Sequence, residues 1–186
     1  PEWKESLSGL IKQRPNRRLL GVFYPYAWFY QKGNKGKTNG FKRWLQEIGE
    51  EPVILDTSKT DQSTNQFSLY MRKHGFFNAV ITDSTRYDGQ NAIVSYKVKS
   101  GEPFTVRNIN YTTDDTVLYH ELDVLRRQTS LRHGDRYDED QFDKERERIT
   151  NHLRDKGYYS FNKNYIAFEV DTNMGGHQAD LRINLN

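Results

Sequence analysis

The chain contains no cysteine among its 186 residues, which excludes both a disulfide framework and a thiolate metal site. It has only two methionines and five prolines. No stretch approaches the roughly 20 apolar residues that a membrane-crossing helix needs. Mean hydropathy is −0.96, and the hydrophobic fraction is 34%. Catalytic signatures are missing too. There is no G-x-S-x-G, no P-loop and no dinucleotide-binding glycine pattern. The five histidines, at 74, 120, 133, 152 and 177, never fall at the H-E-x-x-H spacing of a metal-binding helix. The acidic run Asp138, Glu139, Asp140 and Asp143 sits at a predicted helix start, where negative charge suits the helix dipole. No catalytic residue, metal or cofactor is therefore expected. The chain begins at Pro1 without methionine and reads as an excised or processed segment, whose targeting information lies elsewhere.

Aromatic residues supply much of the apolar content: 12 Tyr, 10 Phe and 3 Trp. The net charge of +3 hides an asymmetry. Residues 1–43 carry ten Lys/Arg against two Glu, or +8, and the remainder carries −5. A basic start can meet phosphate, lipid headgroups or an acidic partner, or be a plain solvated surface.

A pattern occurs twice. Tyr70-Met71-Arg72-Lys73-His74-Gly75-Phe76-Phe77 reads as a helix end, a glycine stop and two aromatics; His152-Leu153-Arg154-Asp155-Lys156-Gly157-Tyr158-Tyr159 reads the same way. Gly75 and Gly157 suit the left-handed position just past a helix. Two alternating apolar segments follow each copy, as strands would. A repeat of about eighty residues is too long for a solenoid unit and fits a small domain.

Along the chain, Leu7, Leu10 and Ile11 predict a short helix over 4–13, stopped by Pro15. An aromatic run at 22–30 and a flexible basic loop at 31–40 follow. Phe41, Trp44, Leu45 and Ile48 predict a second helix, and Val53–Leu55 a short extended run. Ser63 with Gln66 resembles a capping box opening a third helix, which buries Phe67, Tyr70 and Met71. Strands are predicted at 77–86 and 92–98 around an Asp88-Gly89 turn. Gly101-Glu102-Pro103 breaks the pattern and marks a boundary between domains 1–100 and 101–186. The second domain then reads strand (104–111), helix (Leu118, Leu122, Leu125), helix (Phe142, Ile149, Leu153), and closing strands at 165–170 and 179–185. The first lacks an obvious opening strand, which is expected to lie outside the chain. The fold class is α+β: two tandem small domains, each strand-helix-helix-strand-strand, with helices on a three-stranded mixed sheet.

This order resembles the polypeptide-transport-associated (POTRA) domain. Gly101-Glu102-Pro103-Phe104 looks like that family's module junction, Gly134-Asp135-Arg136-Tyr137 like its "G-[DE]-x-[YF]", and Asp155-Lys156-Gly157-Tyr158-Tyr159 like its "x-x-G-Y-[YF]". The segment Arg14–Gly21, with Glu145–Thr150, looks closer to the BamA/TamA-like, surface-antigen subgroup. The resemblance implies a periplasmic location at the outer membrane of a Gram-negative bacterium, with a barrel of about sixteen strands downstream. It implies unfolded outer-membrane or surface proteins and periplasmic accessory subunits as partners. It also implies that the second strand of each module lies at the sheet edge, here near Ala79-Val80-Ile81 and Tyr165-Ile166-Ala167-Phe168. There a client strand would pair with free backbone groups. The insertion at 22–40 departs from the compact module.

Other readings stay open. An edge can be kept inert by charge and twist. Trp28, Phe29 and Tyr30, with Lys32, Lys35 and Lys37, suit a partner or membrane contact. They also suit a local core and a mobile loop. Gly101 and Pro103 read as structural residues that set the angle between modules. The whole can be a scaffold that docks only accessory subunits. The basic start with interleaved aromatics also fits single-stranded nucleic acid. The mixed charge of the later helices and the acidic second module speak against it, so no nucleic-acid partner is expected.

Overall fold

The computed structural model describes residues 3–16, 25–34, 39–89 and 91–186. Two compact units are present: one of residues 1–66 and 83–96, the other of 67–82 and 97–186.

In the first unit α1 (Trp3–Gly9) is shorter than the predicted 4–13. The segment after it is held by side chains instead. Gln13 Nε2 donates to Ile54 O at 2.6 Å, and its Oε1 accepts from Asp56 N at 3.0 Å. Asn16 does the same with Glu51 O and Val53 N. Those side chains replace strand pairing at 53–55, so the expected extended run forms no strand, and Ile54 is 86% exposed.

α2 (Pro25–Gly33) and α3 (Gly40–Ile48) form an antiparallel pair. Pro25 suits a first helical position, because its missing N–H is unused there. The predicted loop at 31–40 is thus helical up to Gly33. Asn39 caps α3 by accepting from Lys42 N at 2.9 Å. Close backbone approach explains two glycines. A Cβ on Gly33 would stand 2.9 Å from Lys42 O, and one on Gly49 2.6 Å from Tyr30 N. The helical spacing of α3 was legible, but only Leu45 is buried there.

α4 (Thr57–Lys73) starts six residues before the predicted capping box. Asp56 Oδ1 accepts from Ser58 N at 3.0 Å and opens the helix. Ser63 is buried mid-helix, donating to Lys59 O and accepting from Lys12 N. It satisfies a loop amide rather than a helix start. Phe67 and Met71 are buried as expected; Tyr70 is half-buried and packs on His74 at 4.4 Å between ring centroids.

β1 (Val80–Asp88) and β2 (Asn91–Lys99) make a two-stranded sheet. In the second unit, β3 (Thr105–Thr113), β4 (Ile166–Asp171) and β5 (Gln178–Leu185) form a sheet in the order β3-β5-β4. β5 pairs parallel with β3 and antiparallel with β4. α5 (Leu122–Arg127), preceded by a 3-10 turn at Leu118–Glu121, and α6 (Glu139–Asp155) supply the helices. One core holds Val106, Tyr111, Leu125, Ile149, Leu153 and Ile183, among others. Helices packed on a three-stranded mixed sheet are what the sequence pattern predicted.

The repeat is visible in hydrogen bonds. Gly75 N donates to Arg72 O and Phe76 N to Met71 O; Gly157 N donates to Arg154 O and Tyr158 N to Leu153 O. Both glycines have positive φ, +87° and +100°. This is one helix-stop motif used twice.

Candidate functional site

A sheet edge offers unpaired backbone groups, and the β3-β5-β4 sheet has two such edges, β3 and β4. β3 is partly closed at its start. Val106 N donates to Asp135 O at 2.8 Å, Gly134 N donates to Val106 O at 2.7 Å, and Tyr137 N donates to Phe104 O at 2.9 Å. The segment 134–137 therefore covers the opening of that strand.

β4 is more open. Asn186 N donates to Tyr165 O at 2.8 Å. With the register Ile166↔Leu185 through Asp171↔Asp180, this makes 165/186 a hydrogen-bonded pair. Antiparallel ladders alternate. Ala167, Glu169 and Asp171 thus bond to β5, while the N–H and C=O of Ile166, Phe168 and Val170 point away from it. Arg146 agrees with that direction, since its Nε donates to Ile166 O at 3.4 Å. Its guanidinium also lies 4.6 Å from the Phe168 ring centre and 2.7 Å from Asp143 Oδ1.

A cleft of about 250 Å³ opens beside this edge, lined by Lys73, Tyr137, Glu139, Phe142, Asp143, Arg146, Phe168 and Val170. Phe142 and Phe168 stack at 4.8 Å. On the other face, Glu169 joins Arg182 at 3.1 Å and Asn184 at 2.7 Å.

The expected edge residues divide. Tyr165 lies in a 3-10 turn before the strand, not in it. Ile166 is buried, Ala167 exposed and Phe168 half-buried. Ala79 precedes β1 and donates to Phe76 O; Val80 is 54% exposed and Ile81 half-buried. Trp28 is 47% exposed, with Lys32 Nζ 5.4 Å from its ring centre. Phe29 and Tyr30 are half-buried, and Lys32 is exposed. Lys35 and Lys37 lie outside the described residues, as does the aromatic run before Pro25. Gly101 has φ +67° and lies near Asn78; Pro103 is half-buried.

Sequence reasoning missed three things. One is Arg146 and the cleft beside β4, whose only signal was an arginine four residues after Phe142 on the same helix face. The second is a buried charge. Glu145 is fully enclosed, accepting from Tyr111 Oη at 2.6 Å, Arg148 Nη2 at 2.5 Å and Ser130 Oγ at 3.1 Å. Burial pushes its carboxyl up, but the bonds from Arg148 and Tyr111 outweigh that and hold it below its ordinary value. Burial, aided by Glu145, raises the Tyr111 phenol well above its ordinary value. The third is a cluster of His74, Asp138 and Asp140, each offering a ligand atom within 4.8 Å of the others. Residues 64 or more positions apart give no sequence signal. Lys73 Nζ, 2.6 Å from Asp140, already neutralises part of that cluster.

Compared with known proteins, the sequence matches the family described as "POTRA: Surface antigen variable number repeat" over residues 104–186. These residues are a POTRA domain. Three solved structures resemble the chain. Haemophilus influenzae BamA POTRA3-5 is 16% identical, covering 74% of this chain and 50% of its own, with a TM-score of 0.44. Haemophilus ducreyi BamA lacking POTRA domains 1-3 is 14% identical, covering 74% and 24%, with a TM-score of 0.46. POTRA1-2 of Anabaena Omp85 is 14% identical, covering 74% and 78%, with a TM-score of 0.40. The chain thus spans half or less of the two BamA chains. No curated protein matches it. The POTRA assignment rests on the sequence match, and the mixed sheet with its two helices is consistent with it.

Proposed function

We propose that the chain is the periplasmic polypeptide-binding region of an outer-membrane barrel protein, built from modules 1–100 and 101–186. It receives client strands on their way into the outer membrane. One observation carries this reading: β4 of the POTRA domain turns the backbone groups of Phe168 and Val170 away from β5, its ladder partner among the described residues. An incoming strand gains main-chain bonds there with little regard for its sequence. The cleft of Phe142, Phe168 and Val170, rimmed by Lys73, Glu139, Asp143 and Arg146, takes an alternate side chain of the client. Arg146, stacked on Phe168, either moves aside or donates to the client's carbonyl. The β1 edge near Val80 serves the first module in the same way.

Two proline variants test the edge. Val170→Pro removes an outward N–H and leaves the ladder intact, so client capture falls while melting changes little. Ala167→Pro removes an N–H directed at β5 and lowers stability. Ile166 is unsuitable for this test, because its side chain is core. A photocrosslinker at exposed Glu169 then identifies the occupant in cells. A ladder of nascent barrel proteins, lost in Val170→Pro, is expected. A single folded partner, kept in Val170→Pro, would replace this reading with that of a scaffold for accessory subunits.

A further inference from the structure

Arg146 stands one turn after Phe142 on α6 and reaches across to the open strand β4. Its Nε donates to Ile166 O at 3.4 Å. That carbonyl points away from β5, so the donor lies outboard of β4, where the amide of a paired strand would stand. Its Nη1 is held 2.7 Å from Asp143 Oδ1, one turn back on the same helix. The guanidinium carbon lies 4.6 Å from the centre of the Phe168 ring. The Arg146 side chain is only 29% exposed, so it lies along the cleft rather than out in solvent.

A strand added to β4 meets this arginine at two points. The first is Ile166 O. A ladder bond is about 2.9 Å long, and the 3.4 Å contact from Nε is longer, so a strand amide binds that carbonyl better. The second is the Phe168 ring. Ile166, Phe168 and Val170 turn their side chains to one face of the sheet. In a paired strand, the residue opposite Phe168 places its Cβ about 5 Å away on that same face. The guanidinium fills this space, so arginine and client side chain exclude one another there. Charge set against an open edge is a known means of restraining unwanted pairing.

The geometry points to Arg146 as a displaceable latch on β4: its guanidinium closes the start of the edge in the free protein, and an incoming strand pushes it off Ile166 O and Phe168. This rests on the strand-pairing reading of β4 and adds a regulation to it. Asp143 fixes the closed pose. Capture is weaker than the open edge alone would give, because the arrangement that binds is populated only part of the time.

The test uses the full chain. The probe is a fluorescein-labelled peptide of alternating threonine and valine with a lysine at each end, and binding is read by fluorescence anisotropy. Arg146→Ala should tighten binding about fivefold, the scale of one exposed ion pair and one long hydrogen bond. Asp143→Asn frees one end of the latch and leaves the stacked rings in place; it should tighten binding about twofold. Adding Val170→Pro to either should remove binding. In the wild-type chain the Arg146 Nε–H, followed by nitrogen-15 NMR, should exchange faster with solvent once peptide is bound. Two results would overturn the latch alone: binding unchanged or weakened in both Arg146→Ala and Asp143→Asn, or an Nε–H better protected in the complex. The second would make Arg146 a donor to the client. If neither the wild type nor Arg146→Ala binds peptide while both melt normally, or if binding survives Val170→Pro, the strand-pairing reading fails and the latch with it.

Discussion

Glu145 is a fully enclosed carboxylate whose partners are Tyr111, Ser130 and Arg148. Arg148 also donates to Leu125 O, and its Nη1 is buried without a hydrogen-bond partner among the described residues. Removing one member of such a pair leaves the other uncompensated. Glu145→Gln should destabilise the POTRA domain by about 3 kcal/mol at neutral pH, read by urea unfolding. The pH sign follows from its lowered carboxyl. Its stabilisation is present above the unfolded value of about 4.3 and is lost as pH falls through the lower folded value. Asp140, held down by Lys73, and Asp180, held at about 2 by Arg107, act in the same direction. The wild-type protein should therefore lose stability below about pH 4, and Glu145→Gln should flatten that slope. The two helix-stop glycines permit a paired test. A Cβ at Gly157 meets nothing within 4 Å, whereas one at Gly75 would stand 2.7 Å from Tyr137 O. Gly157→Ala should cost about 1–2 kcal/mol for the left-handed backbone alone, and Gly75→Ala distinctly more.

At the level of elements, α6 begins at Asp138, whose Oδ1 accepts from Asp140 N at 3.0 Å. Asp138→Ala should cost about 1 kcal/mol in chemical denaturation for the lost cap. The same variant also removes the partner of His74. The sequence revealed this start, with Phe142, Ile149 and Leu153 inward, because cap and apolar period agree. It misplaced the start of α4 because Ser63 and Gln66 imitate a cap, whereas the working cap, Asp56, precedes a polar turn with no apolar period. In α3 the 3.6-residue period was legible, but period alone does not say which face is covered. Phe41 and Trp44 look like core until α2 is seen on the other side. Charged residues inside a core are harder still. The Glu145-Arg146-Glu147-Arg148 run reads as a solvated helix face, and only Tyr111 and Ser130, brought in by distant segments, show that Glu145 is enclosed. The β4 edge was legible as an approximate location. Which backbone groups face outward depends on register, which no composition discloses.

For the molecule as a whole, the family match begins at residue 104, but the compact unit that holds it also includes residues 67–82. Phe77 stacks edge-on against Phe104 at 5.0 Å and Tyr137 at 4.8 Å, and Phe104 N donates to Gly75 O. Phe77→Ala should lower the stability of the POTRA domain by about 2 kcal/mol, seen as an earlier thermal transition, although it lies outside the matched residues. The order β3-β5-β4 has a consequence in time. The central strand is the last of the three in the sequence, and the bond Asn108–Asp180 joins residues 72 positions apart. Until β5 is present, β3 and β4 have nothing between them, and neither can pair. The domain therefore has a high contact order for its size, and its sheet closes late, after a long loop has been ordered. That late closure keeps the domain's chain open, with its first strands unpaired, until its last strand is available.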